Sequence, residues 1–383
     1  MIGLLVCAMY LIVYLSWGVM NANKEVQNGE GIKSFVVIFL SLVTISLYVV
    51  GVHGLNFNEL GPDLPTYYRH YLTYIHWSLS DFLHGMTLDP GYEWYSYILA
   101  KLSAFVHGAF SMPGYFSVSL LIMMGLVYGS AKRFVTTGEA VIVALMYLPF
   151  SVTNLFMFNL VRQGIAVAVG FYAVFLLEKH TKLVFGFILA FIAWTMHSSV
   201  VYMIFLPYFV VKAATWYLEN QTIKRILYAL NGIGILLYVS RTSGMLFGRL
   251  PIGFIQKYQS PAMLQQVKVN PTLAGYSTHY LIYGLIVLVA ILALDLANRK
   301  QLTTVKKGAE VLCNLTLLIL AEFFVLGFLP YSYRILETAL FMIPLLYAIV
   351  QKSNHLWRTV IVLLAIAILV QGWPSSPFSV LGG

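Results

Sequence analysis

The chain has 383 residues, of which 60% are hydrophobic and only 10% are charged, whereas globular proteins carry about 25% charged residues. This composition excludes an ordinary soluble domain. The formal net charge of +9 does not indicate a nucleic-acid partner, because most Lys and Arg residues flank apolar segments, as membrane orientation requires. The apolar runs are continuous rather than alternating, so they favour helices over a membrane β-barrel.

Roughly a dozen apolar stretches, most of them near the 20 residues that cross a bilayer, follow one another along the chain. We therefore predict an all-α, polytopic integral membrane protein with about 12 transmembrane helices, forming a single domain over residues 1–383. Segment 93–110 carries Glu93, Lys101 and His107 and is predicted to be re-entrant, interfacial or spanning. The other stretches are predicted near 2–20, 34–53, 115–131, 138–150, 155–178, 181–196, 198–212, 223–241, 279–297, 311–329, 334–350 and 356–373.

The short basic loops, including the one with Lys224 and Arg225, are predicted to face the cytoplasm, where Lys and Arg accumulate. Both termini then face outward if segment 93–110 does not cross the bilayer, and the first two helices are inverted if it does. Two polar segments, 54–92 and 242–278, are placed outside. The outer-face segments 54–114 and 242–278 are predicted to contribute to a substrate site. Their aromatic rings and amides suit sugar rings, although an interfacial aromatic belt with ordinary loops is an equal alternative.

Arg162 lies near the outer end of the apolar stretch 155–178. A charge at membrane depth costs about several kcal/mol unless it is paired or lines a wet cavity, so it is a candidate functional residue. Its planar guanidinium suits phosphate oxygens. The alternatives are a carboxylate partner on another helix, because Glu178 lies too far along the same helix, or a side chain that reaches outward to water.

Further ionisable residues are predicted at the same face. His197 joins two short apolar stretches and is either a general base, since histidine titrates near neutral pH, or a packing histidine. Arg334 opens a helix, where a cation is unfavourable unless the helix N-terminus and the arginine bind the same anion. Glu337, three residues further on, is the alternative partner at helical spacing. Asp63 either caps a helix or contacts a sugar hydroxyl. Glu322 lies deeper in an apolar stretch and needs a partner.

A set of short motifs, in a fixed order, resembles the EpsG/Wzy family of polysaccharide polymerases, from the first helix to about residue 345. A basic loop and a second helix lead to a Gly-x-Asp turn with a following Tyr. A Gly-Tyr pair, an Arg-Gln pair on a long helix, a His-Ser pair and a late Arg at a helix start come next. In this sequence these residues are Gly61, Asp63 and Tyr67, then Gly91 and Tyr92, Arg162 and Gln163, His197 and Ser198, and Arg334.

The resemblance implies a fold like that of GT-C membrane glycosyltransferases and a reaction at the periplasmic, outer face of the bacterial inner membrane. Repeat units arrive on undecaprenyl diphosphate, and the growing glycan is transferred from its own lipid diphosphate to the incoming lipid-linked repeat. The implied partners are these lipid-linked glycans and the lipid bilayer, with a chain-length regulator and a flippase in addition. Related enzymes hold the diphosphate with Arg and without metal, so we expect no metal ligands and no cofactor.

Arg162 and Arg334 are therefore expected to hold the diphosphates, because fixed cations stabilise the charge that develops on the leaving group. His197 or Asp63 is expected to serve as base or oriented acceptor for the attacking hydroxyl. The alternative function is a lipid-linked oligosaccharide flippase or polysaccharide exporter, which would need a polar path to the cytoplasmic face, and Glu322 is the main residue in its favour. Further substrate contacts are expected from Gln163, Tyr67, Arg69, Tyr333, Tyr331 and Ser198.

Overall fold

A computed structural model describes residues 63–106, 108–135, 137–147, 161–178, 182–250, 253–269, 275–299 and 310–349. In these residues the regular structure is helical and no strand occurs. Backbone contacts divide the chain into two compact units. The described residues up to Val201 belong to the first unit and those from Tyr202 belong to the second. The expectation of a single domain over 1–383 stays a prediction.

The first unit is built around one buried helix, α6 (Val161–Glu178). It packs against α4 (Met112–Ala131) and α7 (Leu183–Met196), while α3 (Pro90–Val106) packs against α1 (Asp63–His76) and α7. Within α6, 83% of the apolar window is buried, so this helix forms the core on which the neighbouring helices are placed. The helices of this unit are α1 Asp63–His76, α2 Leu79–Gly85, α3 Pro90–Val106, α4 Met112–Ala131, α5 Thr137–Met146, α6 Val161–Glu178 and α7 Leu183–Met196.

The second unit is centred on α14 (Glu310–Val325). This helix packs against α8 (Leu206–Tyr217), α9 (Asn220–Ser240), α13 (Thr278–Arg299) and α15 (Tyr333–Phe341). Most residues of α14 are buried, which explains why it is apolar all round rather than on one stripe. The helices of this unit are α8 Leu206–Tyr217, α9 Asn220–Ser240, α10 Ser243–Phe247, α11 Gly253–Tyr258, α12 Pro261–Val269, α13 Thr278–Arg299, α14 Glu310–Val325, α15 Tyr333–Phe341 and α16 Ile343–Ile349.

Four helices in the described part of the chain are long and apolar enough to cross a membrane, namely α4, α6, α9 and residues Thr278–Leu296 of α13. Helix α7 and the stretch Val201–Tyr217 are apolar but shorter. These helices support the predicted helical membrane protein. The expected total of about 12 spans and the likeness to GT-C enzymes stay predictions. The stretches near 2–20, 34–53 and 356–373 lie outside the described residues.

Prolines divide two of the predicted stretches. A π-helical turn, Val201–Phe205, precedes α8, and Pro207 in the first turn of α8 has no N–H for the carbonyl of Met203. Helix α15 ends at Phe341, and α16 begins after a single turn residue. Pro344 there has no N–H for a carbonyl one turn earlier, which favours the break.

The charges of segment 93–110 have partners inside the first unit. Glu93 is fully buried, and its Oε1 accepts hydrogen bonds from the backbone N–H groups of Thr87 and Leu88 at 2.9 and 2.5 Å. Lys101 donates to the carbonyl of Ile75 at the end of α1, at 2.9 Å. His107 lies outside the described residues. The opposite side of α3 is an exposed apolar stripe of Trp94, Ile98, Leu102, Phe105 and Val106.

A buried ion pair joins α9 to α13 in the second unit. The Lys224 Nζ lies 2.6 Å from the Asp295 Oδ1, and the two side chains are only 7% and 4% exposed. The sequence places Lys224 in a basic loop, but the structure places it inside α9. Glu310 and Cys313 border the same small cavity as this pair, and Asn220 donates a hydrogen bond to Glu310.

Candidate functional site

In the first unit, four polar side chains from different parts of the chain meet at one point. Arg162 donates from Nη1 to the Oδ2 of Asp89 at 2.9 Å and from Nε to the hydroxyl of Tyr67 at 3.0 Å. The Nδ1 of His197 lies 3.2 Å from the same Asp89 oxygen. We call Arg162, Asp89, His197 and Tyr67 the arginine cluster.

Three members of the arginine cluster lie at or near a helix end. Arg162 is the second described residue of α6, and Asp89 directly precedes α3. His197 follows α7 in an extended conformation, and its N–H bonds the carbonyl of Ala193 at 3.0 Å. The termini of three apolar helices therefore place a carboxylate, a guanidinium and an imidazole together.

A close contact between α3 and α7 holds Asp89 beside His197. A Cβ atom at Gly91 would overlap the Oγ1 of Thr195 and lie 2.8 Å from the backbone nitrogen of Met196. Only glycine allows the start of α3 to approach the end of α7 this closely. The backbone carbonyl of Asp89 also accepts from the N–H groups of Tyr92 and Glu93, so the turn before α3 is fixed on both sides.

Helix α1 supports the arginine cluster from another direction. Tyr67 is only 5% exposed, and the Cζ of Arg162 lies 5.3 Å from its ring centroid, within the range of a cation–π contact. The ring of Tyr67 packs edge-on against Tyr92. Nearby, Tyr68 donates to the carbonyl of Phe110 at 2.8 Å, and burial raises the pKa of Tyr68. The tyrosines thus fix α1, and with it Tyr67, against its neighbours.

The arginine cluster is partly accessible. The side chains of Arg162 and Asp89 are 24% and 26% exposed, whereas His197 is 15% exposed. The second terminal nitrogen of Arg162, Nη2, makes no hydrogen bond to any residue that the structure describes. The guanidinium is therefore held by two of its nitrogens and can offer the third to an anion. The sequence left open a carboxylate partner for Arg162, and Asp89 is that partner.

Arg334 lies in the second unit, in a setting of tyrosines. It is the second residue of α15, as the sequence predicted, and its Cζ lies 4.7 Å from the ring centroid of Tyr331. Glu337, the partner expected from helical spacing, is 4% exposed. Between these two described side chains no ion pair forms within 4.0 Å. Tyr331 has a positive φ of 63°, an unusual conformation for a bulky residue that marks a constrained turn.

Four tyrosine rings form a connected group beside Arg334. Tyr280 stacks on Tyr333 at a centroid distance of 5.3 Å and an interplanar angle of 20°. Tyr331 lies 6.0 Å from both Tyr258 and Tyr333. Tyr258 belongs to segment 242–278, so this segment contributes a ring next to the two tyrosines that the sequence selected. A tyrosine can pack its ring on a sugar and, at the same time, form a hydrogen bond to it through its hydroxyl group.

The other predicted site residues are placed differently. Gln163 is buried beside Arg162, and Ser198 is exposed beside His197. Arg69 is exposed, and within the described residues its side chain bonds to its own helix, at Pro65 and Thr66. Asp63 is the first described residue of α1, and its side chain lies outside the described part of the structure, so both roles expected of Asp63 stay predictions.

Sequence reasoning missed Asp89 as a member of the site. The residue stands in an Asp-Pro-Gly turn before a helix, a pattern that indicates a cap or a turn. The signal that could have found it is Gly91, two residues on, because a glycine at a helix start permits close approach to another chain segment. Tyr258 belongs to the aromatic segment 242–278 that the sequence analysis placed outside, whereas Tyr280 carried no signal, since tyrosines are frequent throughout the chain.

Two observations bear on the questions of metal binding and of transport. Among the described residues, no group of three or more His, Cys, Asp and Glu side chains could hold a metal ion. Glu322, the main residue in favour of transport, lies in α14 and forms no ion pair within the described ranges.

The comparison with known families gives one match. The model of the EpsG family matches residues 35–378, which is most of the chain. No curated protein and no solved structure gives a significant match.

Proposed function

The chain belongs to the EpsG family, a membership that indicates a membrane polysaccharide polymerase, and on this premise we propose its specific reaction. The protein polymerises oligosaccharide repeat units carried on undecaprenyl diphosphate. It transfers the growing glycan from its lipid diphosphate to the non-reducing end of the incoming lipid-linked repeat. The reaction takes place at the periplasmic face of the bacterial inner membrane and requires no metal.

The observation that carries this proposal is the fixed guanidinium of Arg162. Its Nε and Nη1 are held by Tyr67 and Asp89, so the remaining N–H groups point in a set direction. A departing diphosphate gains negative charge as the glycosidic bond breaks. A preorganised cation in a site largely shielded from water stabilises that charge without having to reorient during the reaction.

The second arginine suits the second lipid diphosphate. Arg334 stands near the N-terminus of α15, where the helix dipole and the guanidinium both favour an anion. Its tyrosine neighbours offer flat apolar surfaces and hydroxyl groups for sugar rings. We assign each lipid-linked substrate to one of the two arginines, with His197 or Asp63 near the attacking hydroxyl as the sequence predicts.

The rival function is a flippase or exporter for the same lipid-linked glycans. Such a protein would also use arginines and aromatic rings, but it would make no new glycosidic bond. The two functions therefore differ in product, and a chemical assay separates them.

The test is polymerisation by the purified full chain in liposomes, supplied with its cognate undecaprenyl-diphosphate repeat in the presence of EDTA. We expect the wild type to form a ladder of glycans. Arg162→Ala and Arg334→Ala should each lower the rate by about 10²–10³-fold, the usual loss when a group that stabilises transition-state charge is removed. Arg225→Ala, which removes an exposed arginine of α9, is the matched control and should keep its activity.

The possible failures have different meanings. A folded wild-type protein that makes no ladder refutes the polymerase and favours transport. A ladder that disappears with EDTA and returns with a divalent cation refutes metal independence. A ladder that persists in both arginine variants retains the polymerase but refutes the assigned diphosphate contacts.

A further inference from the structure

We propose that Asp89 is the catalytic base of this glycosyl transfer, and that His197 is a positioning residue that holds the Asp89 carboxylate. The inference rests on the proposed function, because it names the group that takes the proton of the attacking hydroxyl. It differs from the expectation from sequence, which offered His197 or Asp63 for this role.

The hydrogen-bond directions around Asp89 are fixed by chemistry. An ionised carboxylate only accepts hydrogen bonds, so the Nδ1 of His197, 3.2 Å away, must be the donor. Arg162 donates to the same oxygen at 2.9 Å. These two donors on Oδ2 orient the carboxylate, and its 26% exposure lets a substrate hydroxyl approach the group.

Accessibility distinguishes the two candidate bases. With a proton on Nδ1, the basic atom of His197 is Nε2, and this atom is buried. The Asp89 side chain is 26% exposed, on a par with the 24% of Arg162. A base must come within about 2.6–3.2 Å of the hydroxyl it deprotonates. The substrate can therefore reach Asp89 more directly than the basic nitrogen of His197.

The position of Asp89 also couples the base to the leaving group. Asp89 binds one terminal nitrogen of Arg162, and the other terminal nitrogen is offered to the donor diphosphate. Both nitrogens belong to one guanidinium, so a hydroxyl on Asp89 and a diphosphate on Arg162 are held as close neighbours. Holding the reacting atoms about 3–3.5 Å apart accelerates a reaction, because the entropy of bringing them together has already been lost on binding.

The charges in the transfer step balance. The hydroxyl oxygen of the acceptor sugar forms a bond to the anomeric carbon of the donor, and the bond from that carbon to the diphosphate oxygen breaks. The electron pair leaves with the lipid diphosphate, and the hydroxyl proton passes to Asp89 and later to water. As Asp89 becomes neutral, Arg162 loses its anionic partner while the diphosphate gains charge, so the cation stabilises the transition state more than the ground state.

The experiment compares kcat and KM of reconstituted full-length variants with the cognate lipid-linked repeat. Asp89→Asn should lower kcat by about 10²–10⁴-fold, the usual contribution of a general base, and change KM by less than about threefold. His197→Asn should keep at least about a tenth of kcat, because the amide nitrogen of asparagine can donate to Asp89 in place of Nδ1. Asp81→Asn is the control, since Asp81 is an exposed capping residue of α2.

Each result decides the matter. A folded Asp89→Asn variant with a near-normal kcat overturns the proposal, and so does a His197→Asn variant that loses as much as Asp89→Asn. If Asp89→Asn does not fold, His197→Asn decides alone, because a loss of about 10²-fold or more there makes the histidine the base. An inactive wild type refutes the polymerase itself and the role of Asp89 with it, which distinguishes this failure from one confined to Asp89.

Discussion

Removing one member of the Lys224–Asp295 pair should destabilise the second unit by an unusually large amount. The two charges lie 2.6 Å apart and the side chains are 7% and 4% exposed, so neither can turn to water if its partner is removed. Truncating one member of a buried pair costs about 3–5 kcal/mol, because the other charge is left uncompensated. Lys224→Met should therefore lower the melting temperature by roughly 6–20 °C, at about 2–4 °C per kcal/mol.

The neighbourhood of the pair predicts an asymmetry between its two members. Glu310 borders the same cavity, so Lys224→Met removes a cation that lies near two carboxylates, whereas Asp295→Leu leaves Lys224 close to Glu310. The lysine variant should be the less stable of the two. The double variant, with Lys224→Met and Asp295→Leu together, should recover most of the loss, since apolar replacement of a whole buried pair is often neutral or stabilising by about 1–4 kcal/mol.

The assay is thermal unfolding in detergent, followed with a thiol-reactive fluorophore. Cys313 lies beside the pair and is 5% exposed, so its reaction with the dye reports the opening of this region, and a Cys7→Ala background removes the other cysteine. Arg225→Met, a neighbouring exposed cation on α9, is the control. A Lys224→Met melting temperature within about 2 °C of the control, or a double variant less stable than both single ones, would refute the reasoning.

Two predictions concern the arginine cluster. Tyr67→Phe removes the hydroxyl acceptor 3.0 Å from the Nε of Arg162. A hydrogen bond to a charged group contributes about 1.5–3 kcal/mol, so kcat/KM for the lipid-linked repeat should fall by about 10–100-fold. An unchanged kcat/KM would show that Tyr67 does not position the guanidinium. Gly91→Ala should part α3 from α7, because the new Cβ overlaps Thr195. We expect it to cost about 1–3 kcal/mol in thermal unfolding and to reduce polymer formation, whereas Gly125→Ala, with no atom within 4 Å of its Cβ, should do neither.

The sequence by itself determined the class of the protein and the approximate position of its apolar helices. Apolar runs with basic loops can be satisfied only by helices in a bilayer, and the structure places helices close to the predicted stretches between 115 and 350. The family also followed from sequence, since a few polar residues in a fixed order along an apolar chain are a specific pattern. The prediction that Arg334 opens a helix was confirmed, because the turn before it, with Pro330, marks a helix boundary.

Only the tertiary structure decided which polar groups face one another. Asp89, Arg162 and His197 are far apart in the chain and meet because Gly91 lets two helix ends touch. Likewise, the sequence around Lys224 predicts a basic loop, yet the Lys224 side chain is buried against Asp295. The apolar pattern of a segment predicts whether a side chain is buried. Which polar side chains pair with one another depends on how separate helices pack. The partner of each buried charge is therefore a property of the fold rather than of any local segment.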